Sequence, residues 1–152
     1  MKKPILRALC AFFIFLLLQQ TNASAQIQIF KENFDTVSAL FTHGWERINR
    51  SNPTGTGQWT QGNYLLGDTA LTGNDSSYIQ ADYTDVDSAG TISNWLLTPV
   101  LSLANFDTIT FYTVSYNSWA YHDRLEVRLS QSGTLDSVGP NDTTTGVFGQ
   151  ML

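Results

Sequence analysis

The sequence predicts an all-β fold, a jelly-roll-like antiparallel β-sandwich that is incomplete at its C-terminal end. Three observations lead there. The stretch Gly90–Ser130 reads as strand, turn, strand, loop and strand. No segment past residue 25 sustains the i, i+3, i+4, i+7 apolar pattern of an amphipathic helix over three turns. Short apolar or alternating runs recur along the chain with Gly, Asn, Asp and Pro between them, the punctuation of a two-sheet protein.

Lys2, Lys3 and Arg7 precede the apolar run Ala8–Leu18, and Ala23-Ser24-Ala25 follows a polar stretch. This is the order of a secretory signal peptide, so residues 1–25 are expected to be removed after Ala25. The run has 11 residues, short of the roughly 20 that a bilayer-spanning helix needs. Cys10 lies inside it with no small residue before it, and leaves with the signal. Residues 26–152 then form one domain of 127 residues without cysteine, held without disulfides although exported. It keeps Lys31, Arg47, Arg50, Arg124 and Arg128 against all thirteen acids, a balance of −8. Phosphate binding relies on clustered Lys and Arg, so nucleic acid and anionic membrane are poor partners for such a chain. A soluble extracellular protein, one that tolerates calcium, fits it.

Gln26–Phe30 alternates as a short strand, and Thr36–His43 is a helical turn. Gly44–Asn49 restarts extended structure, and Ser51–Gly57 is a loop by composition. Gln58–Thr60 and Asn63–Leu66 are short strands separated by Gly62, and Ser77–Ala81 is another. Asp82–Gly90 reads as an acidic loop. Ile92–Leu97 is a strand that stops near Pro99, whose ring removes a donor and biases Thr98 to extended geometry. Asn105-Phe106-Asp107 is a turn, and Thr108–Tyr116, rich in β-branched and aromatic residues, is a strand. In Asp123–Ser130, Leu125, Val127 and Leu129 alternate with Arg124, Glu126 and Arg128, as on a strand with one face on a core. The chain stops at Phe148–Leu152, an apolar start of a further strand, which is why the domain is read as truncated. Trp45, Trp59, Trp95 and Phe111 are the expected core aromatics.

No enzyme is expected. His43 and His122 stand in no nucleophile context, and neighbouring strand residues such as His122 and Asp123 face opposite ways. Two histidines and no remaining cysteine make a poor zinc site. Asp85–Gly90 matches the first two acids and the glycine of a helix-loop-helix calcium loop. It then fails at Ala89 and at Leu96, where the bidentate glutamate would stand. A structural calcium site assembled from distant segments stays open, with Glu32, Asp35 and Asp123 as the candidate carboxylates. The loop Tyr116–Asp123 offers aromatic faces and hydrogen-bonding groups together. Tyr116, Trp119, Tyr121 and His122 are the candidate ligand-binding residues, with a lid over the core as the alternative use of Trp119 and Tyr121. Asn74 and Asn141 begin sequons of correct form.

Phe30–Asp35, Gly44-Trp45, Trp59, Ser77-Tyr78-Ile79, Asn94-Trp95-Leu96-Leu97-Thr98-Pro99, Phe111-Tyr112 and Asp123–Ser130 together resemble the choice-of-anchor J domain, over about Ile29 to Ser132. That family is related to the cleaved-adhesin domains of secreted bacterial proteases and to MAM-type modules. The resemblance implies a jelly-roll module of a secreted or surface-attached bacterial protein. It implies adhesin-like or carbohydrate-binding roles, and structural calcium carried by Glu32 and Asp123. The expected function is a non-catalytic binding module for a glycan or an extracellular protein. The alternative is an accessory domain of a secreted protease or glycosidase. Oligomeric state is not legible.

Overall fold

The computed structural model describes residues 27–114, 124–132 and 137–152. The chain divides into two units, Met1–Lys31 and Glu32–Leu152. Of the first, residues 27–31 are exposed and carry no regular secondary structure. The strand expected over Gln26–Phe30 is therefore corrected for 27–30, Gln26 lying outside the described residues. Alternation makes a strand only where a neighbour completes its ladder, and Ile27 is 82% exposed with no ladder beside it.

The second unit opens with a one-turn helix, α1 (Val37–Leu40), where a helical turn is expected. Strands follow as β1 (Glu46–Asn49), β2 (Asn52–Thr54), β3 (Thr60–Gln61), β4 (Ile79–Gln80), β5 (Val86–Thr91), β6 (Asn94–Leu97), β7 (Arg128–Leu129) and β8 (Gln150–Met151). Two 3-10 turns, Tyr64–Leu66 and Tyr83–Asp85, complete the regular structure of the described residues. Among the described residues strand outweighs helix, and the pairing is antiparallel. β1 joins β6, β2 joins β5, β3 joins β4 and β7 joins β8, each as a two-stranded sheet. Among the described residues no helix is long and apolar enough to cross a membrane.

β1 and β6 run in unbroken register from Glu46↔Leu97 to Asn49↔Asn94. Arg50 N donates to Ser93 O (2.8 Å), and Ser93 N donates to Ser51 Oγ (3.0 Å), carrying the pairing one step past the strand ends. β6 stops before Thr98-Pro99, as the proline requires. α1 stops because Gly44 takes φ +85°, a left-handed conformation that glycine enters without Cβ strain, and Trp45 N turns back to Leu40 O (3.2 Å). That reversal buries Trp45 to 6% exposure against Val37 and Leu40. Phe34, Phe41, Ile79 and Leu96 pack round this cluster, and the Phe34 ring meets Trp45 edge-on at 5.7 Å.

The core is tied by a polar side chain. Gln61 Oε1 accepts from Val37 N (2.8 Å), one of the first-turn donors that a helix leaves without an internal partner. Its Nε2 donates to Phe34 O (2.9 Å) and Ser76 O (2.5 Å), with a longer approach to Tyr78 O (3.3 Å). One amide thereby joins α1, β3, the Phe34 turn and the entry to β4.

Several expectations are corrected. Asn52–Thr54 is a strand inside the predicted Ser51–Gly57 loop, paired with β5, which itself occupies most of the predicted Asp82–Gly90 loop. The predicted Asn63–Leu66 strand is instead the 3-10 turn Tyr64–Leu66, preceded by Asn63, whose Oδ1 accepts from Leu65 N (3.1 Å). Thr108–Val114 forms no strand and is exposed, Phe111 at 50%, so this ring is not part of the core. Residues 115–116 of that predicted strand lie outside the described residues. Of the predicted Asp123–Ser130 strand, Arg128–Leu129 pairs, with β8, while Leu125 is 56% exposed. β8 does form where the apolar ending predicts a strand, and Leu152 N donates to Val127 O (3.0 Å). Trp95 is half-buried, its ring 5.8 Å from Phe148, and Trp59 is also half-buried.

Candidate binding cleft

Side chains alternate along β1, so Arg47 and Asn49 share one face. Both reach backbone of the following connection. Arg47 Nη1 donates to Trp59 O (2.5 Å), and Asn49 Nδ2 donates to Gly57 O (3.0 Å) and Asp85 O (2.7 Å). The same two residues thus hold the Gly57–Trp59 segment over β1. Beside it lies an open cleft of about 290 Å³ lined by Val37, Ser38, Phe41, Arg47, Thr60 and Gln61. The Arg47 guanidinium lies 4.5 Å from the centre of the Phe41 ring, a cation–π contact that fixes its plane. Arg47 has no carboxylate partner among the described residues, where the ion pairs are Arg124–Glu126 and Arg128–Glu126. Ser38 and Thr60 are exposed hydroxyls in the same lining. Gln61 is committed to backbone, so the cleft offers a fixed cation, two hydroxyls and an apolar wall. That set can hold a polar or anionic group against a hydrophobic surface. The sequence carried no local signal for it, because the lining comes from α1, β1 and β3.

The residues expected to bind ligand, Tyr116, Trp119, Tyr121 and His122, and the carboxylate Asp123 lie outside the described residues. Glu32 is half-buried and closes a local turn by accepting from Phe34 N through Oε1 (2.7 Å). Phe34 there has φ +58°. Asp35 is exposed, and its Oδ1 accepts from Ser77 Oγ (2.7 Å). Among the described residues no three His, Cys, Asp or Glu side chains gather as a metal group. Glu32 and Asp35 nevertheless each use one carboxylate oxygen and keep a second, the hard donor that calcium prefers.

Asp85 is a residue whose role sequence reasoning missed. It is 1% exposed, at the end of a 3-10 turn whose start is capped by Asp82 Oδ1 on Thr84 N (2.8 Å). Asn94 Nδ2 donates to Asp85 Oδ2 (2.6 Å), and the Asp85 carbonyl accepts from Gly55 N (3.0 Å) as well as from Asn49. Burial raises its carboxyl pKa above the ordinary 3.8, the Asn94 bond opposes that shift, and the charge of Asp82 adds to it. The Asp82-x-Thr84 turn signal was present in the sequence, but nothing in it marks the following acid as interior. Set beside known proteins, the chain matches no protein-family model, no curated protein and no solved structure.

Proposed function

We propose that the chain is an exported, non-catalytic binding module of adhesin-like type, built on a jelly-roll-like β-sandwich, that holds a glycan or an extracellular protein. The observation that carries this reading is the Arg47 cleft: a guanidinium stacked on Phe41, without a described carboxylate partner, in a chain whose acids outnumber its bases. A cation kept in a concave, partly apolar lining supports that reading. The resemblance to choice-of-anchor J domains supports the same class and the bacterial cell-surface or secreted location. The aromatic loop with Tyr116, Trp119, Tyr121 and His122 is the second proposed contact surface.

The test is a glycan array and an extracellular-protein binding screen on the mature chain, repeated with Arg47→Ala and Trp119→Ala. The expected result is saturable binding that Arg47→Ala weakens at least about tenfold, the value of one lost charge-assisted contact. Binding untouched by both substitutions would refute the assigned surfaces, and turnover of a screened compound would refute the non-catalytic reading.

Structural calcium belongs to the proposal, with Glu32, Asp35 and Asp123 as its carriers. Glu32 and Asp35 support it only as hard oxygen donors of the kind calcium takes. A cation that binds the folded state alone raises the unfolding temperature, by the equivalent of about 2.7 kcal/mol at a hundred times its Kd. Differential scanning calorimetry in millimolar calcium is expected to show the rise, and chelator its reversal. An unchanged transition removes calcium from the account.

A further inference from the structure

Two buried oxygens of one hydrogen-bonded pair are left without a donor. Asp85 Oδ2 accepts from Asn94 Nδ2, while Asp85 Oδ1 and Asn94 Oδ1, both buried, have no hydrogen-bond partner. Two acceptors cannot satisfy each other, and a buried polar atom left unpaired costs about 1–3 kcal/mol. A single proton removes both deficits, because a carboxylic acid donates through one oxygen and accepts through the other, matching the donor and acceptor of a primary amide. We propose that Asp85 is held as a neutral carboxylic acid paired two-fold with the Asn94 amide, and that this shared proton is a pH-sensitive clasp between the β2–β5 and β1–β6 sheets.

The position suits a clasp. Asp85 leads directly into β5, and Asn94 opens β6 opposite Asn49 of β1. Asn49 Nδ2 and Gly55 N both bind the Asp85 carbonyl, so the same residue is tied to β1 and to the segment after β2. A Cβ on Gly57 would run into Asp85 Oδ1 and Thr84 Oγ1, so the carboxyl is closed in by backbone. The titratable groups on the surrounding elements are Asp82 and Tyr83 on the preceding turn, Asp87 on β5, Glu46 and Arg47 on β1, and Arg50 between β1 and β2. β2 and β6 carry none. The Asp82 charge favours the neutral acid, and the smaller effect of the Asp82 backbone opposes it.

The direction of the pH effect follows. A carboxyl whose folded pKa is raised binds its proton more tightly in the folded chain than in the unfolded one. Its contribution to stability is complete below the ordinary 3.8 and is lost as pH rises through the folded value. Above that value the clasp carries a buried charge and loosens.

The test compares the mature chain with Asp85→Asn, whose side chain can give Asn94 Oδ1 a donor at every pH. Denaturant unfolding is followed across pH 4 to 8. The expected result is a ratio of folding constants, Asp85→Asn over wild type, that rises with pH by up to about tenfold per unit across the window between the two pKa values. A ratio that stays flat overturns the proposal. Infrared spectroscopy of the unmodified chain decides the matter if the variant does not fold. A protonated-carboxyl carbonyl band persisting above about pH 5, where ordinary carboxylates are ionised, and moved to higher wavenumber by Asn94→Leu, which removes the bond to its carbonyl, supports the pair. No such band overturns it.

Discussion

Trp45→Ala is expected to lower the unfolding free energy by about 3–5 kcal/mol, the usual cost of emptying a large aromatic site in a core. Trp45 is buried against Val37 and Leu40, with Phe34 edge-on to its ring and Phe41, Ile79 and Leu96 completing the cluster. Few of the described side chains are as enclosed. The measurement is the urea midpoint at unchanged slope. A cycle with Phe34→Leu should return a coupling of about 0.5–1.5 kcal/mol for the edge-on ring pair. A loss below about 1 kcal/mol would move the core away from α1, against the geometry.

Gln61→Leu is expected to cost about 3 kcal/mol although it removes no apolar contact. It strands Val37 N, Phe34 O and Ser76 O, which the Gln61 amide satisfies together. Each unsatisfied group costs about 1–3 kcal/mol according to its burial, and these sites are part-buried. Gln61→Glu separates the two halves of the role. It keeps an acceptor for Val37 N but aims a carboxylate at carbonyl oxygens, so it should be as damaging as leucine at neutral pH. It should recover partly in acid, when the carboxyl gains a proton to donate. Equal stability of the glutamate variant and wild type at pH 7 would show that the Nε2 bonds contribute nothing.

What was legible in the sequence was local. The strand read over Ile92–Leu97 and ending near Pro99, the extended run after Gly44 and the helical turn before it carry their own signals, and each formed over part of its stretch, as Asn94–Leu97, Glu46–Asn49 and Val37–Leu40. Trp45 likewise announces a core by size. β2 and β5 were read as loops because Pro53, Gly55 and the acids of 82–87 are turn residues by composition. Their pairing is a property of the ladder, which no local preference encodes. Thr108–Val114 shows the converse: strong strand composition without a ladder leaves Tyr112 and Val114 exposed. The two polar centres were the hardest to foresee. Gln61 lies in a stretch otherwise read as strand ends, and Asp85 in what looked like a solvated acidic loop. Each is defined by partners 9 to 36 residues away. The cleft shares that origin, since Arg47 meets Phe41 and Trp59 through folding alone.

Amide hydrogen exchange puts the central claim to the most direct test, because the fold described is clasped by Gln61 and Asp85 around Trp45. The amides of Val37, Gly55, Gly57 and Gly62, bound to Gln61 Oε1, Asp85 O, Thr84 O and Tyr78 O, are predicted to exchange only on global unfolding. Their protection should drop together in Gln61→Leu. If these four amides exchange as fast as those of the exposed residues 27–31, the clasps do not hold the sheets together.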